Sequence, residues 1–206
     1  MTEDARRRGR PSTGVREAVL QAAEAVLAEG GVTRLSTKEV ARRASVAESS
    51  IFYHFTDRLG LLQAVVRQHL PEYGQAVADL RQRAGHGSLR DNLIALLDRL
   101  EAFYLRIMPI IAAVQSDHEL RARFADRSVE SDIGPRRALI PVAEYLAEER
   151  DLGRVRDDLD VAAAAQILAG IAFHRAMLRS LAGTGDIRVT DIPKLVDAFL
   201  PSLVDG

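Results

Sequence analysis

Apolar positions recur at spacings of three and four along almost the whole chain, the period of amphipathic helices rather than the alternation of strands. Val15, Val19, Ala22, Ala23, Val26 and Leu27 form one such stripe and predict a helix over 15–29. Gly30 and Gly31 follow it and are expected to stop it, because glycine readily enters the left-handed conformation that closes helix ends. "STKEVARRA", from Ser36, opens with a capping box. Ser36 can accept from the Glu39 N–H while the Glu39 carboxylate reaches back to the Ser36 N–H. A helix of about two turns then runs through Ala44. "SVA" makes a tight connection, and "ESSIFYHF" fits a third short helix over 47–55.

From Asp57 the helices lengthen. Leu59, Leu62, Val65, Val66 and Leu70 share one face, and "GHGS" at 85–88 reads as a loop. Ser88 is placed to cap the apolar run Leu89–Met108, which Pro109 is expected to interrupt or bend. Further helices are predicted over 118–130 and 135–150, the second containing Pro141. Asp160 should cap an alanine-rich helix over 161–182, and Pro193 suits the first turn of a final helix over 191–203. There is no internal repeat and no strand pattern, so the expected fold is all-α.

Composition narrows the class. With 206 residues, 47% apolar and 28% charged, the chain can bury one large core or two small ones and is expected to be a soluble globular protein. The absence of cysteine excludes disulfides and thiolate metal sites. No apolar run approaches the roughly 18 residues of a membrane span. No apolar signal core follows the basic N-terminus, so a cytoplasmic protein with no membrane partner is expected. The formal net charge of -1 hides an asymmetry, since residues 1–60 carry ten basic and eight acidic side chains. Four of those arginines lie within five residues of "RRRGRPS", Arg6–Ser12.

Three short helices joined by tight turns are the plan of a helix-turn-helix, in which the second helix crosses the DNA backbone and the third enters the major groove. Ser49 and Ser50 lie near the start of that third helix, where hydroxyls reach base edges or phosphates. Glu48 can accept from a cytosine amino group. Tyr53 and His54 close the helix with two groups able to donate to phosphate oxygens. Thr37 sits in the first turn of the second helix, where backbone donors favour an anion. Ile51, Phe52 and Phe55 are assigned to the core, while Arg42 and Arg43 are either phosphate contacts or solvated charges.

The order "AAEAVLAEGG…LSTKEVARRASVAESSIFYHFTDRLGLL" closely resembles the TetR family of bacterial transcription regulators, in Ala22–Ala23, Gly30 or Gly31, Ser36–Thr37, Val40–Ala41, Ala44 and "SIFYHFTDRLGLL". The resemblance covers the first third; further on it rests on helical layout and on "DDLDVAAAAQILAG". It implies that Arg58 stands where a lysine usually contacts phosphate, and that Phe52 replaces a common tyrosine. It also implies that Ser45 replaces a turn glycine and Ala47 a hydroxyl cap. It further implies a basic arm over 1–14, a DNA-binding domain over 15–58 and a ligand-binding, dimerising domain over 59–206. Two copies would meet through 161–182 and 191–203. Candidate residues around an unknown small-molecule effector are Phe103, Tyr104, Ile107, Met108, Ile111, Phe124 and Phe173, with His69, His118 or His174 as polar contacts.

The expected function is that of a homodimeric regulator that represses from a palindromic double-stranded operator and is released by a small molecule, with no cofactor. No Gly-x-Ser-x-Gly elbow, phosphate loop or zinc-helix motif supports an enzyme. "SDHE" at 116–119 lacks the converging partners of a metal site. The alternative is a ligand-independent architectural protein of AT-rich DNA, suggested by the likeness of "RGRP" to an AT-hook core. In the main reading Arg8 and Arg10 instead serve the attached domain, reaching phosphates or the minor groove.

Overall fold

Helix follows helix along the described chain, which in this computed structural model comprises residues 12–130, 135–182 and 188–204. In order these are α1 (Ser12–Arg34), α2 (Thr37–Ala44), α3 (Glu48–Phe55), α4 (Arg58–Arg81), α5 (Leu89–Gln115), α6 (His118–Glu130), α7 (Pro135–Asp151), α8 (Val161–Ala182) and α9 (Ile192–Phe199). A 3-10 turn over Leu200–Ser202 follows, and no strand occurs among the described residues. The all-α class is as expected.

The expected caps form. Ser36 accepts from the Glu39 N–H at 3.1 Å, Ser88 from Asp91 at 3.0 Å, and Asp160 from Ala162 and Ala163, each at 3.0 Å. The capping box at α2 is only half made, because the Glu39 carboxylate turns to Arg42, at 2.8 and 2.6 Å. That guanidinium holds the Glu39 carboxyl below its ordinary value.

Helix ends differ from the sequence expectation at the breaker residues. α1 begins at Ser12 and passes through Gly30 and Gly31 to Arg34. A helical glycine costs about 1 kcal/mol, and buried Leu35 just beyond Arg34 anchors the end of the segment. α5 likewise continues through Pro109 to Gln115. A mid-helix proline costs about 3 kcal/mol, and the turns beyond it are held by buried Ile110, Ala113 and Val114. The final helix is shorter than expected: α9 stops at Phe199 and Pro201 lies in the tightened 3-10 turn.

Two apolar clusters lie along α5. The first joins α1, α2, α3 and the start of α4 to Ile110, Ala113 and Val114 of α5 and Leu120 of α6. The second gathers Leu89–Leu100 of α5 with Leu80, Val142, Tyr145, Leu146, Ala164, Ala165, Leu168, Ile192 and Val196. The segment expected to form the DNA-binding domain therefore shares its core with α4, α5 and α6. A polar network seals the second cluster: Asn92 Nδ2 donates to Tyr145 Oη at 3.1 Å and to the His86 carbonyl at 3.0 Å. Buried Glu149 accepts from the Gly85 N–H at 3.3 Å and pairs with Arg154 at 3.0 Å.

One composition-level expectation needs correction. α8 is long and apolar enough to cross a membrane by length and mean hydropathy. Its alanines raise that average, yet the helix also carries Gln166, His174 and Arg175. α8 packs on α5 and α7 through buried Ala165, Leu168, Ala172 and Ala176.

Candidate functional site

α3 is held by its own apolar pair. Ile51 is fully buried and Phe55 nearly so, with the Arg16 guanidinium 5.5 Å from the Phe55 ring centroid. Burying positions i and i+4 turns Glu48, Ser49, Phe52 and Tyr53 outward as one face. Phe52 is 49% exposed and Tyr53 84% exposed. The assignment of Phe52 to the core is therefore corrected, and the signal that could have found it is its i+4 spacing from Glu48. Ser50 and His54 are half-buried on the flank, and the His54 ring meets Tyr53 edge-on at 5.0 Å.

The connection from α2 to α3 holds two departures from the family pattern, of which Ser45 alone takes a strained backbone conformation. Ser45 caps α2 with φ 56° and ψ 43°, a left-handed conformation in which a Cβ is unfavourable. Ala47 precedes α3 and makes no side-chain cap. Ser45→Gly is expected to stabilise the protein by about 0.5–1 kcal/mol, raising the melting temperature by roughly 1–4 °C; an unchanged melt would show that the turn bears no such strain.

Thr37 and Glu48, both expected at the DNA, first meet each other: Thr37 Oγ1 donates to Glu48 Oε1 at 2.5 Å. This bond ties the start of α2 to the start of α3. Arg42 and Arg43 are exposed but engaged, Arg42 with Glu39 and Arg43 with Glu29 at 2.5 Å. Arg8 and Arg10 lie outside the described residues.

α3 is joined to α4 by a γ-turn. Thr56 has φ 67° and ψ -49°, and the Asp57 N–H donates to the Phe55 carbonyl at 2.7 Å. Asp57 then caps α4, accepting from the Gly60 N–H at 2.7 Å through Oδ1, while its Oδ2 accepts from Arg123 of α6 at 2.5 Å. Asp117 mirrors it, capping α6 at the Leu120 N–H, 3.1 Å, with its Oδ2 3.7 Å from Arg58. Each helix's cap thus faces the other helix's arginine. Arg58, the expected phosphate contact, is one member of this crossed pair.

The expected effector residues divide. Phe103, Ile107 and Met108 are buried on α5 between the stretches that serve the two clusters. Tyr104 and Phe173 are half-buried beside them, and Ile111 lies one turn along. Rings run continuously from Tyr73, not singled out in the sequence, to Phe103 at 5.3 Å, Tyr104 at 5.6 Å and Phe173 at 5.4 Å. Burial pushes the Tyr73 phenol well above its ordinary value, with Tyr104 adding to the shift, and burial raises Tyr104 likewise. Both phenols therefore stay neutral at physiological pH.

The remaining candidates lie elsewhere. Phe124 packs on the first cluster. His69 pairs with Glu24 of α1 at 2.7 Å, and His118 is exposed at the start of α6. His174 is exposed because its place on α8 falls opposite the face buried through Ala165, Leu168 and Ala172. Sequence spacing also missed Glu101 and Arg175, two charged side chains buried against each other at 2.7 Å.

Residues 19–65 match the family described as "Bacterial regulatory proteins, tetR family". Over 187 residues the chain is 26% identical to the uncharacterised HTH-type transcriptional regulator YdeS of Bacillus subtilis (strain 168), covering 87% of this chain and 85% of that protein. A Mesorhizobium loti structure assigned to the TetR family of transcriptional regulators has the same fold, with TM-score 0.73, 20% identity and coverage of 95% of this chain and 100% of that one. Two further structures share the fold with a ligand bound. One is the Bacillus subtilis transcriptional regulator FadR with stearoyl-CoA, at TM-score 0.64, 20% identity and coverage of 92% and 98%. The other is a transcriptional regulator of Saccharomonospora viridis with choline, at TM-score 0.65, 18% identity and coverage of 94% and 100%.

Proposed function

Because residues 19–65 match the tetR family of bacterial regulatory proteins, we propose that this chain is a homodimeric repressor of that family, released from a palindromic operator by a small molecule. The observation that carries the reading is the outward face of α3, with Glu48, Ser49, Phe52 and Tyr53 presented by a buried Ile51–Phe55 pair. Such a short helix reads few bases, and two are needed for a useful site. α8 offers a surface for the second copy, since Ala163, Ile167, Gly170, His174 and Leu181 lie exposed along one side. The ligand-bound neighbours support an effector, and their ligands differ in charge.

In this reading Arg58 exchanges partners. Free, it lies against Asp117 at the start of α6; on DNA it turns to a phosphate. A ligand among the α5 and α8 aromatics shifts α6, and the crossed pairs with Asp57 and Arg58 carry that shift to α4 and hence to α3. The ligand can change DNA affinity only by its own difference in affinity for the two arrangements.

Footprinting on genomic DNA is the test, with sedimentation of the free and bound protein. Two symmetric half-sites about one helical turn apart, occupied by a dimer, are expected. Protection of AT-rich DNA without symmetry would replace the reading by the architectural one. Arg8→Ala with Arg10→Ala is expected to weaken operator binding and to flatten its dependence on log salt by about one unit for each phosphate no longer neutralised. Unchanged affinity and slope would leave the arm a solvated tail.

A further inference from the structure

We infer that the effector is a small organic anion, a carboxylate on an apolar body, and that Arg175 of α8 selects it. The inference rests on reading the chain as a ligand-responsive regulator and names the chemistry of its ligand. Arg175 and Glu101 are each 4% exposed. Arg175 Nε donates to Glu101 Oε2 at 2.7 Å. Arg179 Nε lies 2.5 Å from Glu101 Oε1 but out of line for a hydrogen bond. Two guanidiniums thus share one carboxylate, leaving one positive charge in excess.

The second observation is an orphan donor. Arg175 Nη1 is buried and makes no hydrogen bond. Buried polar groups are nearly always partnered, and an ionised one most of all. The planar fork of arginine suits a carboxylate, and here part of that fork is vacant.

The surroundings set the rest of the ligand. One turn along α5 from Glu101 stands Tyr104, edge-on to Phe173 and next to buried Phe103. A ligand reaching Arg175 therefore brings its charged end to a cation and its body to an apolar, aromatic wall. A cationic ligand fits poorly, because the excess positive charge of the two arginines would repel it.

The test uses the full chain without DNA and matched probes: octanoate, octanamide and octylamine, and 3-phenylpropanoate with its amide and amine. Binding is followed by calorimetry and by thermal melting. At least one carboxylate is expected to bind and to raise the melting temperature, with its amide and amine about tenfold weaker or silent. Arg175→Gln should abolish that preference. The double variant Glu101→Gln with Arg175→Gln should abolish it as well, in a core free of unpaired charge. Glu101→Gln alone should instead tighten the carboxylate by about tenfold, because it removes a competing anion. A merely structural ion pair would not produce that gain.

Failure of every carboxylate to bind, equal binding of amide or amine, or a preference that survives in the double variant would each overturn the inference. Operator release is measured separately. Carboxylate binding that leaves the operator complex intact would sink the ligand-responsive reading and keep the site. Release by an amine or amide that ignores Arg175 would do the reverse.

Discussion

Glu101→Ala is expected to destabilise the folded protein by about 3–5 kcal/mol, the cost of stripping one partner from a buried ion pair. Arg175, 4% exposed in the intact protein, would lose the carboxylate that accepts from its Nε. Arg179, half-exposed, can turn to water and so does not add comparably. In a chain of this size the melting temperature should fall by roughly 6–20 °C. Protein concentration must be held constant, because dimerisation would contribute to the same reading. Replacing both partners by leucine should cost far less, since a well-packed apolar pair matches or exceeds a buried ion pair in stability. A loss below about 1 kcal/mol for Glu101→Ala would mean that Arg175 finds another partner or solvent.

The second large effect is expected at the corner between α3 and α4. A Cβ on Gly60 would lie 1.9 Å from the Phe55 carbonyl oxygen and 3.1 Å from its carbon. Those are backbone atoms, fixed by the γ-turn at Thr56 and by the Asp57 cap that grips the Gly60 N–H. Nothing flexible can yield, so Gly60→Ala should cost about 3 kcal/mol or more by forcing the corner open. Operator affinity should fall further than stability alone explains, because the displaced atoms belong to the last residue of α3. Gly74, on the same helix, provides the opposite sign. A Cβ there meets nothing within 4 Å, so Gly74→Ala should stabilise by about 0.8–1 kcal/mol through helix propensity. Thermal melting of both variants, with operator titration, checks the pair. Similar behaviour of the two alanines would refute the steric account of Gly60.

Much of the fold is legible in the sequence, for local reasons. The caps at Ser36, Ser88 and Asp160 depend on a hydroxyl or carboxylate within three residues of a free N–H, and the sequence displays that spacing directly. The buried pair Ile51 and Phe55 follows from the helical period. Phe52 misleads because its apolar character suggests core, whereas its i+4 spacing from Glu48 places it on the exposed face. Gly30, Gly31 and Pro109 mislead for a related reason. Their local penalties are real, but a few kcal/mol of distant burial outweighs each. Glu101 leaves a signal, since it continues the Leu93–Leu97 row of an otherwise apolar face, yet its partner lies 74 residues away.

Periodicity, caps and turn residues, all set within a few positions along the chain, determined that this protein is a helical one in which two short helices, α2 and α3, follow a longer first one. Ordered residues around "SIFYHFTDRLGLL" were enough to indicate the family. Pairings between distant segments were decided only by tertiary structure: Asp57 with Arg123, Arg58 with Asp117, Thr37 with Glu48, and Glu101 with Arg175. The physical reason is that a side chain's period fixes the direction in which it leaves its own helix. Which charge meets it there depends on how the helices pack, and packing is a sum over the whole core.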